Sequence, residues 1–134
     1  MNDLITKVLQ WGVDKGITGP NGKGTLKAQA IKMREECLET FDAALHLYYN
    51  QSPHYADVEE LKDGIGDLFV TGILLAELAG FTSKECLQHA YYVISKRTGN
   101  MVGGTFVKDV DDDLGELDFT KACKLGDETC ESCQ

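Results

Sequence analysis

Three glutamates on one short stretch, Glu35, Glu36 and Glu39, are followed further along by Asp63 and Asp67. Carboxylates are hard oxygen ligands. Gathered from two helix faces, they would form a cage for a divalent cation such as Mg²⁺, which in turn binds the phosphates of a nucleoside triphosphate. At ~3.6 residues per turn, Glu35, Glu39, Asp42 and His46 fall nearly in a row, with Glu36 just beside it. The same row also suits the solvated face of an amphipathic helix. Like charges four residues apart repel, however, and a cation would remove that cost. Glu60, Asp63 and Asp67 share a narrow arc of the next helical segment, and Asp67 directly precedes the apolar run Leu68 to Ala76. An unpaired carboxylate beside a buried run is expensive. Glu60 has a competing role: three residues after Asp57, it could complete an N-terminal cap, so it ranks behind Asp63 and Asp67.

Four helical segments must position these groups. Leu4, Ile5, Val8 and Leu9 indicate a helix over 2–15. Over 26–49, Leu26, Ala30, Met33, Cys37, Phe41, Ala44 and Tyr48 recur every three or four residues and form the expected core stripe. A third helix is placed at 57–79. It is apolar on almost every side after Asp67, so it should be buried by its own chain or by a second subunit. Gly64 and Gly66 cost about 1 kcal/mol each against Ala inside a helix, and their expected use is close approach of a neighbouring helix or ligand. Thr82 with Glu85 forms a capping box that opens a fourth helix over 83–97, with Leu87, Ala90, Tyr91 and Ile94 inward. Met101 to Val107 reads as a short extended segment without convincing strand alternation. The expected fold is all-α: a four-helix bundle over 1–108, oligomeric as a dimer or tetramer, with an acidic, loosely ordered tail over 109–134.

Composition removes several functions. The chain has 134 residues and a net charge of −9, which argues against binding a nucleic-acid polymer or an anionic membrane. No basic start leads into an apolar run, and five cysteines are an odd number for a secreted disulfide framework, so a cytoplasmic protein is expected. Three motifs fail. Gly16 to Gly24 imitates a phosphate-binding loop, but Gly24 follows Lys23 where Ser or Thr is required. Asp109, Asp111 and Asp113 imitate a calcium loop, but Leu114 and Thr120 occupy the positions of its Gly and Glu. Cys130 and Cys133 with Cys123 lack a fourth zinc ligand at suitable spacing.

The pattern Glu35-Glu36-x-x-Glu39, followed by an acidic helix with Gly66-Asp67, resembles the MazG-type all-α nucleoside triphosphate pyrophosphohydrolases of compact phage and bacterial type. The segment from Tyr92 to Lys108 and the stretches 29–39 and 60–75 extend the likeness. One position departs. With Asp67 as the final aspartate of the Glu-x-x-Asp element, Gly64 stands where Glu is expected and Asp63 would substitute. In the other register Glu60-x-x-Asp63 is the element. The resemblance implies Mg²⁺ (or Mn²⁺) held by Glu35, Glu36, Glu39, Asp63 and Asp67. Glu35 or Glu36 would serve as the base, and Lys96, Arg97, Asn100 and Lys108 would contact the substrate. It implies cleavage of an NTP or dNTP, such as dGTP, to monophosphate and pyrophosphate. A phage-encoded member would work in the host cytoplasm. The alternative is a nucleotide-binding or dimerisation module of the same fold without turnover. Trp11, Asn21, Gln29, Tyr91, Asn100 and Phe106 are candidates for contacting the base.

Overall fold

A computed structural model describes residues 2–109. Its elements are α1 (Asn2–Asp14), α2 (Leu26–Tyr49), α3 (Tyr55–Leu78), α4 (Ser83–Ile94), β1 (Gly99–Val102) and β2 (Thr105–Lys108). Four helices match the expected number and order. The strand pair is a correction to a wholly α-helical fold. Val102 and Thr105 close an antiparallel ladder around Gly103 and Gly104, whose φ values of 57° and 83° only glycine adopts freely. Two positive-φ residues between paired strands make the turn whose twist matches a β-hairpin. Contacts divide the chain into Met1–Ile94 and Ser95–Gln134, so the hairpin belongs to the second unit. The acidic stretch from 110 and the tail cysteines lie outside the described residues.

Helix ends follow local chemistry. Thr25 caps α2 by accepting the Ala28 N–H at 3.1 Å. α3 starts two residues before the expected position, because the Asp57 carboxylate accepts the His54 N–H at 2.7 Å. The cap is thus His54 with Asp57, and Glu60 is released from it. At α4 the expected capping box is present: Thr82 N–H donates to Glu85 at 2.7 Å and Glu85 N–H donates to the Thr82 hydroxyl at 3.1 Å. α4 stops at Ile94, three residues short of expectation. The connection from α1 to α2 spends its amides on itself: Gly22, Lys23 and Gly24 N–H groups donate to Gly19, Gly16 and Ile17 carbonyls. They are therefore not available to cradle a phosphate.

α2 and α3 form an antiparallel hairpin, since Gln29 meets Thr71 while Thr40 meets Gly64. Their seam is polar. Gln29, Glu36, Thr40 and Ala43 of α2 and Thr71 of α3 are buried there. Gln29 Nε2 donates to the Thr71 carbonyl at 3.2 Å, and the Thr40 hydroxyl donates to the Glu36 carbonyl at 2.7 Å. This corrects the expected stripe. Leu26, Phe41 and Tyr48 lie exposed in the chain, as do Ala30, Cys37 and Ala44. The physical reason is the Thr40–Gly64 contact, which turns α2 so that its apolar arc faces away from α3. The residues expected inward on α4, Leu87, Ala90, Tyr91 and Ile94, are exposed as well. α1 packs on α3 through Gly12, where Leu74 is almost wholly buried. Among the described residues no single helix is long and apolar enough to cross a membrane.

The two glycines of α3 differ. A Cβ on Gly64 would lie 2.8 Å from the Thr40 hydroxyl and 3.3 Å from its Cα, whereas Gly66 meets nothing within 4 Å. Gly64→Ala should destabilise the chain by about 1–3 kcal/mol through overpacking of the seam. Gly66→Ala should stabilise it by about 0.5–1 kcal/mol. Denaturant midpoints of both variants check the contrast. Hydrogen bonds from Thr82, the backbone N–H foremost, hold the Glu85 carboxyl below its ordinary value of 4.5. A lowered folded-state pKa adds stability that is complete above the unfolded value and is lost as pH falls through the folded one. The stability advantage of the wild type over Glu85→Gln should therefore shrink as pH drops below 4.5, read from melting temperatures across that range.

Candidate functional site

On the side of the α2–α3 seam away from the apolar arcs runs a groove of about 410 Å³. Glu39, Asp42, Ala43 and His46 line it from α2, and Glu60, Asp63, Gly64 and Asp67 from α3. Helical spacing explains the set. Glu39, Asp42 and His46 recur at three and four along one arc, as do Glu60, Asp63 and Asp67 on α3. The antiparallel seam sets these arcs face to face. Absence of a side chain at Gly64 draws the helices together and forms part of the groove wall. Five carboxylates thus converge, and no Lys or Arg is among the lining residues.

Of the five expected metal ligands, Glu39, Asp63 and Asp67 line this groove. Glu35 and Glu36 do not. Glu36 is turned into the seam and is 6% exposed. Its partner is Lys32, one turn earlier, whose Nζ forms an ion pair with Glu36 Oε1 at 2.5 Å and stands 3.6 Å from Glu35 Oε2. The hydrogen bond to Glu36 raises the Lys32 pKa above its ordinary value. A buried carboxylate needs such a partner, because leaving it unpaired forfeits its hydration without return. Glu35 is the exposed member of the pair, with its side chain 56% accessible. Lys32 carried no signal as a site residue in the sequence; its place three and four residues before two glutamates was the available clue.

Three groove residues ranked low or unassigned in the sequence, Asp42, His46 and Glu60, now stand inside. Glu60, free of capping, reaches the groove beside His46. Ligand atoms of His46, Asp57 and Glu60 lie within 4.8 Å of one another, and His46 Nδ1 is 3.6 Å from Asp57 Oδ1. Asp57 is already committed, since its other oxygen accepts the His54 N–H and, at 3.2 Å, the Asn50 amide.

The expected substrate contacts Lys96, Arg97, Asn100 and Lys108 belong to the second unit. Asn100 pairs with Val107 and Lys108 with Gly99, so Asn100 and Lys108 project from opposite faces of the ribbon. Among the candidates for the base, Gln29 is a seam residue. Trp11 borders a hollow of about 350 Å³ between α1 and α3, with Leu4, Lys7, Val8, Val70 and the groove residue Asp67.

The donor set fits a hard divalent cation: carboxylate oxygens without a resident Lys or Arg, beside room for water and phosphate. Saturating Mg²⁺ should raise the melting temperature by relieving repulsion among these carboxylates. At about 100 times the dissociation constant the gain is roughly 2.7 kcal/mol. Asp63→Asn with Asp67→Asn should abolish the shift, and a shift unchanged in that double variant would place the ion elsewhere. Compared with known proteins, the chain matches no family model, no curated protein and no solved structure.

Proposed function

We propose that the chain hydrolyses a nucleoside triphosphate, with Mg²⁺ in the α2–α3 groove, to the monophosphate and pyrophosphate. The observation that supports this most is the convergence of Glu39, Asp42, Glu60, Asp63 and Asp67 on one groove whose described lining holds no Lys or Arg. Such a set repels a bare triphosphate and accepts it only together with cations, which is how phosphoryl-transfer sites select their substrate. Mg²⁺, when bound, supplies charge neutralisation on the phosphate oxygens and polarises the α-phosphorus. Glu39, Asp63 and Asp67 are the residues that would hold it, with Asp42 and Glu60 at the margin.

The chain's own contribution is to orient water and take its proton. Water attacks the α-phosphorus, the bond from that atom to the bridging oxygen breaks, and pyrophosphate leaves with the electron pair. The water proton passes to a carboxylate. Of the two candidates read from the sequence, neither lines the groove; Glu35 is the more accessible, while Glu36 would first have to part from Lys32. Lys96, Arg97 and Lys108 enter this reading from the sequence pattern alone, as counter-charges for phosphate oxygens. The commitment of Glu36 to Lys32 favours a second reading, in which the groove binds a metal–nucleotide complex without turnover.

Each dNTP and NTP incubated with Mg²⁺ separates the two. Hydrolysis should release pyrophosphate and the matching monophosphate, and Asp63→Asn should lower kcat/KM by about 100-fold or more. Comparison of Glu35→Gln with Glu36→Gln identifies the base. Binding of a nucleotide with no pyrophosphate from any of them would favour the second reading and sink the first.

A further inference from the structure

We propose that Lys32 is a built-in competitor for the divalent cation: its ammonium group holds Glu35 and Glu36, and a cation reaches these two glutamates by displacing it. The inference rests on the metal-dependent reading of the site and names how its loading is controlled. Lys32 precedes the two glutamates by three and four residues. At about 100° per residue it stands about 60° from Glu35 and about 40° from Glu36, between them on the surface of α2. The same count puts it about 20° from Glu39, two turns or roughly 10 Å along the axis. Glu39 lines the groove, so one arc of α2 runs from an ammonium group through two glutamates to the groove acids.

The contacts explain both the hold and its release. Lys32 Nζ stands 2.5 Å from Glu36 Oε1 and 3.6 Å from Glu35 Oε2, so a single ammonium group serves both carboxylates. Glu36 is buried, and its charge has to be met by some cation. Lys32 itself is half open to solvent, with 52% of its side chain accessible. An ammonium group is a compact charge on a flexible stem, so it can leave without a shift of the helix. A divalent cation offers the two carboxylates twice the charge, and hard oxygen ligands suit it. Against exchange stand the reluctance of Mg²⁺ to give up water and the loss of a hydrogen bond between charged groups. Lys32 therefore sets the affinity of the glutamate pair for the ion. It keeps Glu36 neutralised in the seam and makes uptake of the ion there conditional on its own departure. The described lining of the groove holds no Lys or Arg, so Glu39, Asp63 and Asp67 meet no such competitor.

Mn²⁺ alone, titrated into the full chain without nucleotide and followed by the resonance of the free ion, tests the competition. The half-saturating concentration should fall at least about tenfold in Lys32→Gln, the scale of one hydrogen bond between charged groups. Lys27, exposed on the same helix and about 140° round from Lys32, is the control for a general change of charge. Lys27→Gln should shift the midpoint less than about threefold. An unchanged midpoint in Lys32→Gln overturns the proposal, and so does an equal fall in both variants. Peptide-mapped amine labelling of the wild type gives a second readout. Lys32 should react several-fold faster in millimolar Mg²⁺ than without it, while Lys27 keeps its rate. A Lys32 rate that ignores Mg²⁺ overturns the proposal, and this measurement decides alone where Lys32→Gln does not fold. Pyrophosphate release enters neither readout. The competition can therefore fail while hydrolysis persists, and hydrolysis can fail while the competition holds.

Discussion

The close approach of α2 and α3 at Thr40 and Gly64 is the constraint on which the rest of the arrangement depends. With no Cβ on Gly64, the α3 backbone comes against the Thr40 side chain. That contact fixes the rotation of both helices about their axes. From the rotation follow the burial of Gln29, Glu36 and Thr71, the convergence of the groove carboxylates, and the outward presentation of Phe41 and Phe69. A seam built from hydrogen-bonding groups gives little net energy, because each bond replaces one to water. It gives register instead. The energy has to come from apolar burial elsewhere, as at Leu74 between α1 and α3.

The same rotation divides the glutamates. Glu36 and Glu39 are three residues apart, yet one lies in the seam with Lys32 and the other opens on the groove. A carboxylate in the seam is useful only if its charge is met, and Lys32 meets it from the preceding turn. Among the described residues, no Lys or Arg lines the groove beside its acids. Their mutual repulsion is tolerated because they are exposed to water, and it makes the groove a place where a divalent ion is stabilising. Gly64 has a steric role in this chain: a side chain there would strike Thr40.

Much of the local structure was legible in the residues. The limits of α2, the Thr82–Glu85 box and the failure of the Gly16–Gly24 loop as a phosphate cradle all follow from interactions within a few positions. The hairpin around Gly103 and Gly104 was not expected beyond a short extended segment over Met101 to Val107, because its four-residue strands alternate too weakly to announce themselves. The start of α3 was placed at Asp57, but that carboxylate sits inside the first turn and the N-cap is His54. Of the groove, the spacing along each helix put Glu39 on one acidic arc and Asp63 and Asp67 on the other. Glu60 was obscured by its distance from Asp57, which fits a cap equally well.

By itself the sequence determined four helices, two acidic arcs and an apolar arc on α2, since each depends on spacing along one helix. Tertiary structure alone decided which arc of α2 meets α3. Periodicity says that Leu26, Phe41 and Tyr48 share a face, but not what covers it. A single glycine opposite a threonine made a polar arc the better fit at short range. The choice put the acids of both helices into one groove and left the apolar face outside.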